Sequence, residues 1–377
     1  MRPNCWAWYS ANHGPNVEHS LAGKEPEQRG VTMPYLKNAW YPATWAEKLV
    51  NDIHAIQILD DPIVLFRNGS GTLSALYDAC PHRFAPLSLG KWKSGVLACG
   101  YHGLEFDGSG TCIRNPHGKG MIPKALGVRS YPVAERYGMI WIWAGDADKA
   151  DENLLPSLPI LEDEDFSWVL GELDVSAHYE LVIDNLLDLT HVEFMHPFLA
   201  SEGGSVRTSY AAKQDGNIVS AIYETRDEEI TGLFQLLWEG EQSTAHLRAN
   251  MRWQPPTYLD LETSMGVEEG VAENDPRVPV LHLLTPIGEE GTRYFWAAGR
   301  NRAHGNEEIS KMLHFGTQNA FENEDEPMIN AVRSRMHSND LFAHKPALLP
   351  TDEAGVRARR ILARLIEDEC RDDENQA

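Results

Sequence analysis

Two short cysteine–histidine pairs carry the most specific chemistry in this chain: Cys80-x-His82 and, sixteen residues on, Cys99-x2-His102. Two thiolates and two imidazoles form a ligand set for a [2Fe-2S] centre of the Rieske type, in which cysteines hold one iron and histidines the other. Imidazole ligation raises the reduction potential above that of an all-cysteine cluster, so the set suits one-electron transfer. Structural zinc is the competing use, but its common spacings keep like with like, as Cys-x2-4-Cys and His-x3-5-His. Here the types alternate within each pair. Each pair also lies in a Gly/Pro-rich segment, CPHRFAPLSLG or CGYHGLEF, of the kind that lets backbone N–H groups approach cluster sulfurs.

A second constellation lies in HYELVIDNLLDLTHVEFMHPF, which contains Asp188, His191 and His196. Two histidines and a carboxylate are the facial set that holds non-haem Fe(II) with positions left open. Zinc accepts the same donors, but a one-electron donor beside an oxygen-binding iron makes chemical sense and beside zinc does not. Asp188 and His191 are three apart and share a helix face, whereas His191 and His196, five apart, diverge by about 140° on a regular helix. A π-type widening or a helix end is therefore expected between them, with Pro197 as a cause. The third ligand is sought in FENEDEPMIN. Phe321, Met328, Ile329 and Val332 form an apolar stripe with Asp325 near its centre, while Glu324 and Glu326 lie about 100° to either side. A buried acid needs a partner, which favours Asp325, with Glu322 the alternative.

These groups need two supporting units, and the 377 residues suffice for two domains. Residues 1–32 read as a loosely held extension, with Met33 a candidate start. Residues 33–150 carry short Val/Ile/Tyr/Trp-rich runs such as PIVLF and MIWIWAG, expected as an antiparallel β domain with the cysteine–histidine pairs in its loops. DADKADENLLPSLPILEDEDF reads as a connector. Residues 151–377 then show further alternating stretches flanked by helical patterns at 178–196, 308–337 and 352–369, the last with Thr351 as N-cap. The fold class is α+β.

The net charge of -23 disfavours nucleic acid and anionic membranes as partners. A local exception runs from Cys80 to Ser130, where Arg83, Lys91, Lys93, Arg114, Lys119, Lys124 and Arg129 face only Glu105 and Asp107, giving a candidate docking patch or a merely solvated one. Five cysteines without a disulfide framework fit a reducing cytoplasm. No apolar run is long enough to span a bilayer, and no secretory leader is evident.

With both constellations placed, the chain resembles the oxygenase component of the Rieske non-haem iron aromatic-ring oxygenases, in the vanillate and dicamba O-demethylase branch. The resemblance runs from about Met33 to the last helix, through CPHRFAPLSLG, CGYHGLEFDGSG, NPHG at 115–118, ERYGMIWIWAGD, DNLLDLTHVEFMH and HLLTP at 282–286. It implies an N-terminal Rieske domain, a C-terminal helix-grip catalytic domain and a homotrimer. Cys80, His82, Cys99 and His102 match its cluster ligands, and His191, His196 and Asp325 its iron ligands. Asp188 matches a carboxylate that bridges to a cluster histidine of the neighbouring subunit, and Asn185 a residue placed near the iron. His282 and Gln254 fall at substrate-contact positions, although dicamba-acting members carry Asn where Gln254 stands and a large aromatic residue where Gly316 stands. The family lacks most of residues 1–32.

The resemblance also implies electrons from NAD(P)H through a reductase, alone or with a ferredoxin, O2 as co-substrate and a small aromatic acid as substrate. O-demethylation would hydroxylate a methoxy carbon, the hemiacetal collapsing to a phenol and formaldehyde. Methyl or ring hydroxylation and cis-dihydroxylation are alternatives on the same machinery. A Rieske electron carrier without catalysis is the rival from another class, and the second metal set argues against it.

Overall fold

The computed structural model describes residues 35–49, 53–68, 70–196, 199, 203–268 and 270–376. The extension expected over 1–32, the start at Met33 and Pro197 lie outside these. Among the described residues, eleven short strands build the N-terminal half: β1 (Trp40–Trp45), β2 (His54–Ile58), β3 (Asp61–Arg67), β4 (Leu73–Tyr77), β5 (Lys91–Lys93), β6 (Val96–Ala98), β7 (Glu105–Phe106), β8 (Cys112–Arg114), β9 (Ser130–Tyr131), β10 (Val133–Arg136) and β11 (Met139–Trp143). They form antiparallel sheets ordered β1-β11-β10, β2-β3-β4-β9 and β5-β6-β7-β8. Aromatic and β-branched residues suit such strands. Those of WYPATW and MIWIW are buried throughout, so β1 and β11 are covered on both faces.

The C-terminal half is one antiparallel sheet with helices laid across it. Its elements are β12 (Ser167–Val175), α1 (Tyr179–Leu187), α2 (Val192–Met195), α3 (Gly204–Arg207), β13 (Thr208–Asp215), β14 (Ile218–Glu229), α4 (Gly232–Leu237), β15 (Thr244–Gln254), β16 (Tyr258–Gly266), β17 (Val280–Pro286), β18 (Thr292–Arg300), α5 (Glu307–Asn319), α6 (Glu326–Arg333) and α7 (Glu353–Gln376). The strand order is β12-β18-β17-β16-β15-β14-β13. One face packs Trp253, Leu259, Leu284, Tyr294 and Trp296 against the helices, in a core that also includes Tyr35, Ile63 and Ile140 of the N-terminal half. The other packs Tyr258, Leu283 and Phe295 against Trp40, Trp45, Trp141 and Trp143. The helix-grip expectation holds.

Three local expectations change. The acidic connector is a fastened strap: Leu155 and Leu158 are buried in the second core, and the Trp40 indole donates to the Asp151 carbonyl at 2.8 Å. The helix expected over 178–196 stops at Leu187, and a 3-10 turn at Leu189–His191 precedes α2. The last helix begins at Glu353 after a 3-10 turn over Pro350–Asp352, with Asp352 rather than Thr351 accepting at its start, from the Leu349 N–H at 2.5 Å. Its Ile361 and Leu362 are buried as expected. No helix among the described residues is long and apolar enough to cross a membrane.

Candidate functional sites: two loops and a buried triad

The cysteine–histidine pairs occupy two matching turns. Cys80 donates its N–H to the Ala85 carbonyl and accepts from Phe84 N–H; Cys99 donates to Leu104 and accepts from Gly103 N–H. Phe84 and Gly103 both take positive φ to close these turns, which Gly103 does without the Cβ penalty that Phe84 bears. The cysteines are buried at 1% and 3% exposure in the core around Leu87, Leu97 and Phe106. Burial pushes the Cys80 thiol up to about 11, the neighbouring Cys99 adds to the rise, and the N–H groups of His82 and Arg83 oppose it. His82 is exposed and His102 half-buried, with ring centroids 4.5 Å apart.

Two supports were not singled out from sequence. His117, in the NPHG run, bonds through Nε2 to the His102 carbonyl at 2.7 Å. Gly90 brings the loops together, since a Cβ there would lie 2.2 Å from the Ala98 carbonyl oxygen. Of the basic residues nearby, Arg114 pairs with Glu105 and Arg129 with Asp61, whereas Lys91 and Lys93 are exposed.

The second site forms where α1 ends. Helix termination at Leu187 frees the Asp188 carbonyl, which accepts from His191 Nδ1 at 2.5 Å. The Asp188 carboxylate itself accepts from the Thr190 N–H at 3.0 Å and hydroxyl at 2.5 Å. The link from Asp188 to His191 within the chain thus runs through the main chain, not the side chain. Buried Tyr223 spans the break, donating to the Leu187 carbonyl at 3.0 Å and accepting from Leu189 N–H at 3.1 Å. The chain turns again after Met195, leaving His196 at φ -123° and ψ 64°. The expected distortion between the histidines is a helix end.

A π-type widening is present elsewhere, over Ala320–Asp325 between α5 and α6. It explains why the apolar stripe only half holds. Ile329 is buried and Phe321 packs on Tyr294 with centroids 5.0 Å apart, but Met328 and Val332 are exposed. An extra residue in one turn rotates the next turn of helix by about 100°. Asp325, 4% exposed, points inward. Glu322 is exposed and accepts from Gln318 at 3.2 Å, which removes it from the ligand candidates.

The Asp325 carboxylate oxygen Oδ1 lies 3.4 Å from His191 Nε2 and 3.3 Å from His196 Nε2, and the three donor atoms lie within 4.8 Å of one another. Two ligands each about 2.1 Å from one ion and set near right angles stand about 3 Å apart. Nitrogen and oxygen donors at this spacing fit a divalent iron. The Asn185 amide donates to the same Asp325 oxygen at 3.2 Å. Glu324, set aside from sequence as a ligand, accepts from His196 Nδ1 at 2.5 Å. Burial works to lower the His196 pKa, but Asp325 and Glu324 outweigh it and raise it.

His282 lies on the helix-covered face beside Phe321, centroids 5.7 Å apart, and is 2% exposed. Its Nδ1 meets the Tyr294 hydroxyl at 2.5 Å, and its Nε2 finds no hydrogen-bond partner among the described residues. Burial pushes its pKa down to about 3, so the ring is neutral. Gln254 does not join it. The register pairs Gln254 with Tyr258 and Tyr258 with Leu283, whereas His282 pairs with Leu259 and Leu259 with Trp253. Cross-strand partners share a face and successive residues alternate, so Gln254 is on the opposite side of the sheet. At Gly316 a Cβ would meet nothing within 4 Å.

Paired cysteine–histidine loops on a small β unit and a two-histidine, one-carboxylate site on a helix-grip sheet define a Rieske non-haem iron oxygenase. Residues 39–132 match the Rieske [2Fe-2S] domain, and residues 175–368 match the vanillate O-demethylase oxygenase C-terminal domain. The chain belongs to this family as an oxygenase component of the monooxygenase type, with a Rieske cluster and a mononuclear iron as its cofactors and a separate reductase as its electron source. It is 34% identical over 333 residues to the dicamba O-demethylase oxygenase component of Stenotrophomonas maltophilia, covering 88% of this chain and 98% of that one. It is 33% identical to the chloroacetanilide N-alkylformylase oxygenase component of Rhizorhabdus wittichii, covering 89% and 97%. A crystal structure of dicamba monooxygenase bound to 3,6-dichlorosalicylic acid superposes with a TM-score of 0.83 at 33% identity, over 89% of this chain and 99% of that one.

Proposed function

We propose that Cys80, His82, Cys99 and His102 hold the cluster, that His191, His196 and Asp325 hold the iron, and that the enzyme O-demethylates a small aromatic acid. The observation that carries the reading is the convergence of two imidazole Nε2 atoms and one buried carboxylate on one point, in a chain that also carries the cluster loops. When bound, the iron supplies oxygen activation with electrons delivered one at a time by the cluster. The chain does the rest. Asn185 orients Asp325, main-chain and side-chain acceptors fix both histidines, and neutral His282 offers Nε2 to an acceptor group of the substrate. Hydroxylation of a methoxy carbon then yields a hemiacetal that collapses to a phenol and formaldehyde.

Asp188 is the candidate bridge to a cluster histidine of a neighbouring subunit in a homotrimer, its half-buried carboxylate held by Thr190 while its carbonyl meets His191. Lys91 and Lys93 suit docking of an acidic reductase or ferredoxin, and a cytoplasmic location fits the cysteine usage. The test is NADH-driven turnover with a surrogate reductase across methoxy- and methyl-substituted aromatic acids, following formaldehyde and oxygen uptake. Formaldehyde in step with oxygen uptake is expected from at least one methoxy acid. None from any of them would overturn the demethylase reading and leave the oxygenase class standing.

A further inference from the structure

Both proposed iron-ligand histidines have their Nδ1 atoms engaged, but by different acceptors. His191 meets a neutral main-chain carbonyl, that of Asp188. His196 meets a carboxylate, Glu324 Oε2, at 2.5 Å, and the other oxygen of that carboxylate accepts from the Asn319 amide at 3.0 Å. A regular helix sets consecutive side chains about 100° apart. Across the π segment, however, Glu324 and Asp325 reach opposite nitrogens of one imidazole, Asp325 Oδ1 lying 3.3 Å from Nε2. His196 is buried and Glu324 largely so, which strengthens a charge-assisted bond.

We infer that Glu324 is a positioning residue for the iron site: by accepting the Nδ1 proton of His196 it fixes the tautomer that presents Nε2 to the metal, and Asn319 in turn holds Glu324. Carboxylate support of this kind raises the basicity of a ligating imidazole, and its loss typically costs about 10–100-fold in metal affinity. The inference rests on His196 being an iron ligand. Glu324 touches neither substrate nor metal in this role.

The experiment is release of Fe(II) from the holoenzyme to a ferrous-selective chelator, with the visible absorption of the cluster as the control for folding. Glu324→Ala is expected to release mononuclear iron about 10–100-fold faster than the wild type. Glu324→Gln, which keeps an acceptor without the charge, should fall between, and Asn319→Ala should show a smaller acceleration. Release from Glu324→Ala at the wild-type rate would overturn the inference. Should that variant lose the cluster absorption, Glu324→Gln carries the test, and wild-type release from it overturns the inference equally. A wild type with no iron beyond the two atoms of the cluster would refute the ligand assignment instead, so the two failures are distinguishable.

Discussion

The cluster loops and the proposed iron site solve the same problem, holding candidate metal ligands still, over different ranges of sequence. In the loops each cysteine is locked by a turn that closes within five residues, and the histidine rides on that turn. The iron site joins residues 140 apart in the contact of Asn185 with Asp325 and 128 apart in that of His196 with Glu324. Local turns need only the right residues in order; the distant pairs need the whole helix-grip domain in place. The cluster should therefore survive changes that empty the iron site.

The largest contrast comes from single ligand replacements. Cys99→Ser should abolish the cluster absorption and turnover together. Asp325→Ala should leave that absorption intact, lose the mononuclear iron and reduce turnover to background. Iron analysis and a visible spectrum decide this, and loss of cluster absorption in Asp325→Ala would break the separation.

Next is the clamp between α7 and α1. Buried Arg359 chelates Asp184 with contacts of 2.7–3.0 Å and also pairs with Glu180, both on the helix that leads into Asp188. Removing one partner of a buried ionic group leaves charge uncompensated, at a cost of about 3–5 kcal/mol. Arg359→Ala should lower the unfolding free energy in urea by that much, with iron release preceding loss of cluster absorption. Simultaneous loss would show that the two sites share one unfolding unit.

An effect that stays smaller above about pH 5 concerns acid. His282, down to about 3 in the folded state, has an unfolded value of about 6.5. Below about pH 6.5 the unfolded chain takes up a proton that folded His282 refuses, so stability falls by up to about 1.4 kcal/mol per pH unit until about pH 3. His178, down to about 4 for the same reason of burial, acts in the same sense. His282→Gln should flatten this acid limb in denaturation midpoints between pH 6.5 and 4. An unchanged slope would mean that His282 is protonated in the folded protein.

The smallest effect is expected at the α1 break. Tyr223→Phe deletes both bonds across Asp188. At about 0.5–1.5 kcal/mol per hydrogen bond, it should cost about 1–3 kcal/mol in a denaturant melt and modestly speed iron release, leaving the cluster spectrum unchanged.

Legibility in the sequence divides along the same line. Both cluster pairs could be read directly, because alternating ligand types within a few residues have few other uses. His191 and His196 needed the resemblance as well as their spacing, since the helix they were expected to share ends at Leu187. Asp325 was reached through a stripe whose later members, Met328 and Val332, face solvent; it stands buried beside both imidazoles because it lies at the end of the widened turn. Glu324 was set aside by the phase of a regular helix, and the π segment invalidates that phase. Gln254 was placed by resemblance, and strand register moves it across the sheet.

The amino-acid sequence by itself determined the two metal chemistries, the β-rich first half, the α+β second half and the acidic surface, since ligand type, hydrophobic period and net charge are properties of short segments. Only the tertiary structure decided which acid meets which histidine nitrogen, which sheet face His282 and Gln254 occupy, and that Asp188 holds His191 by its carbonyl. These depend on where a helix stops or widens and on strand register, where a shift of one residue reverses a side chain, and packing against distant elements decides it.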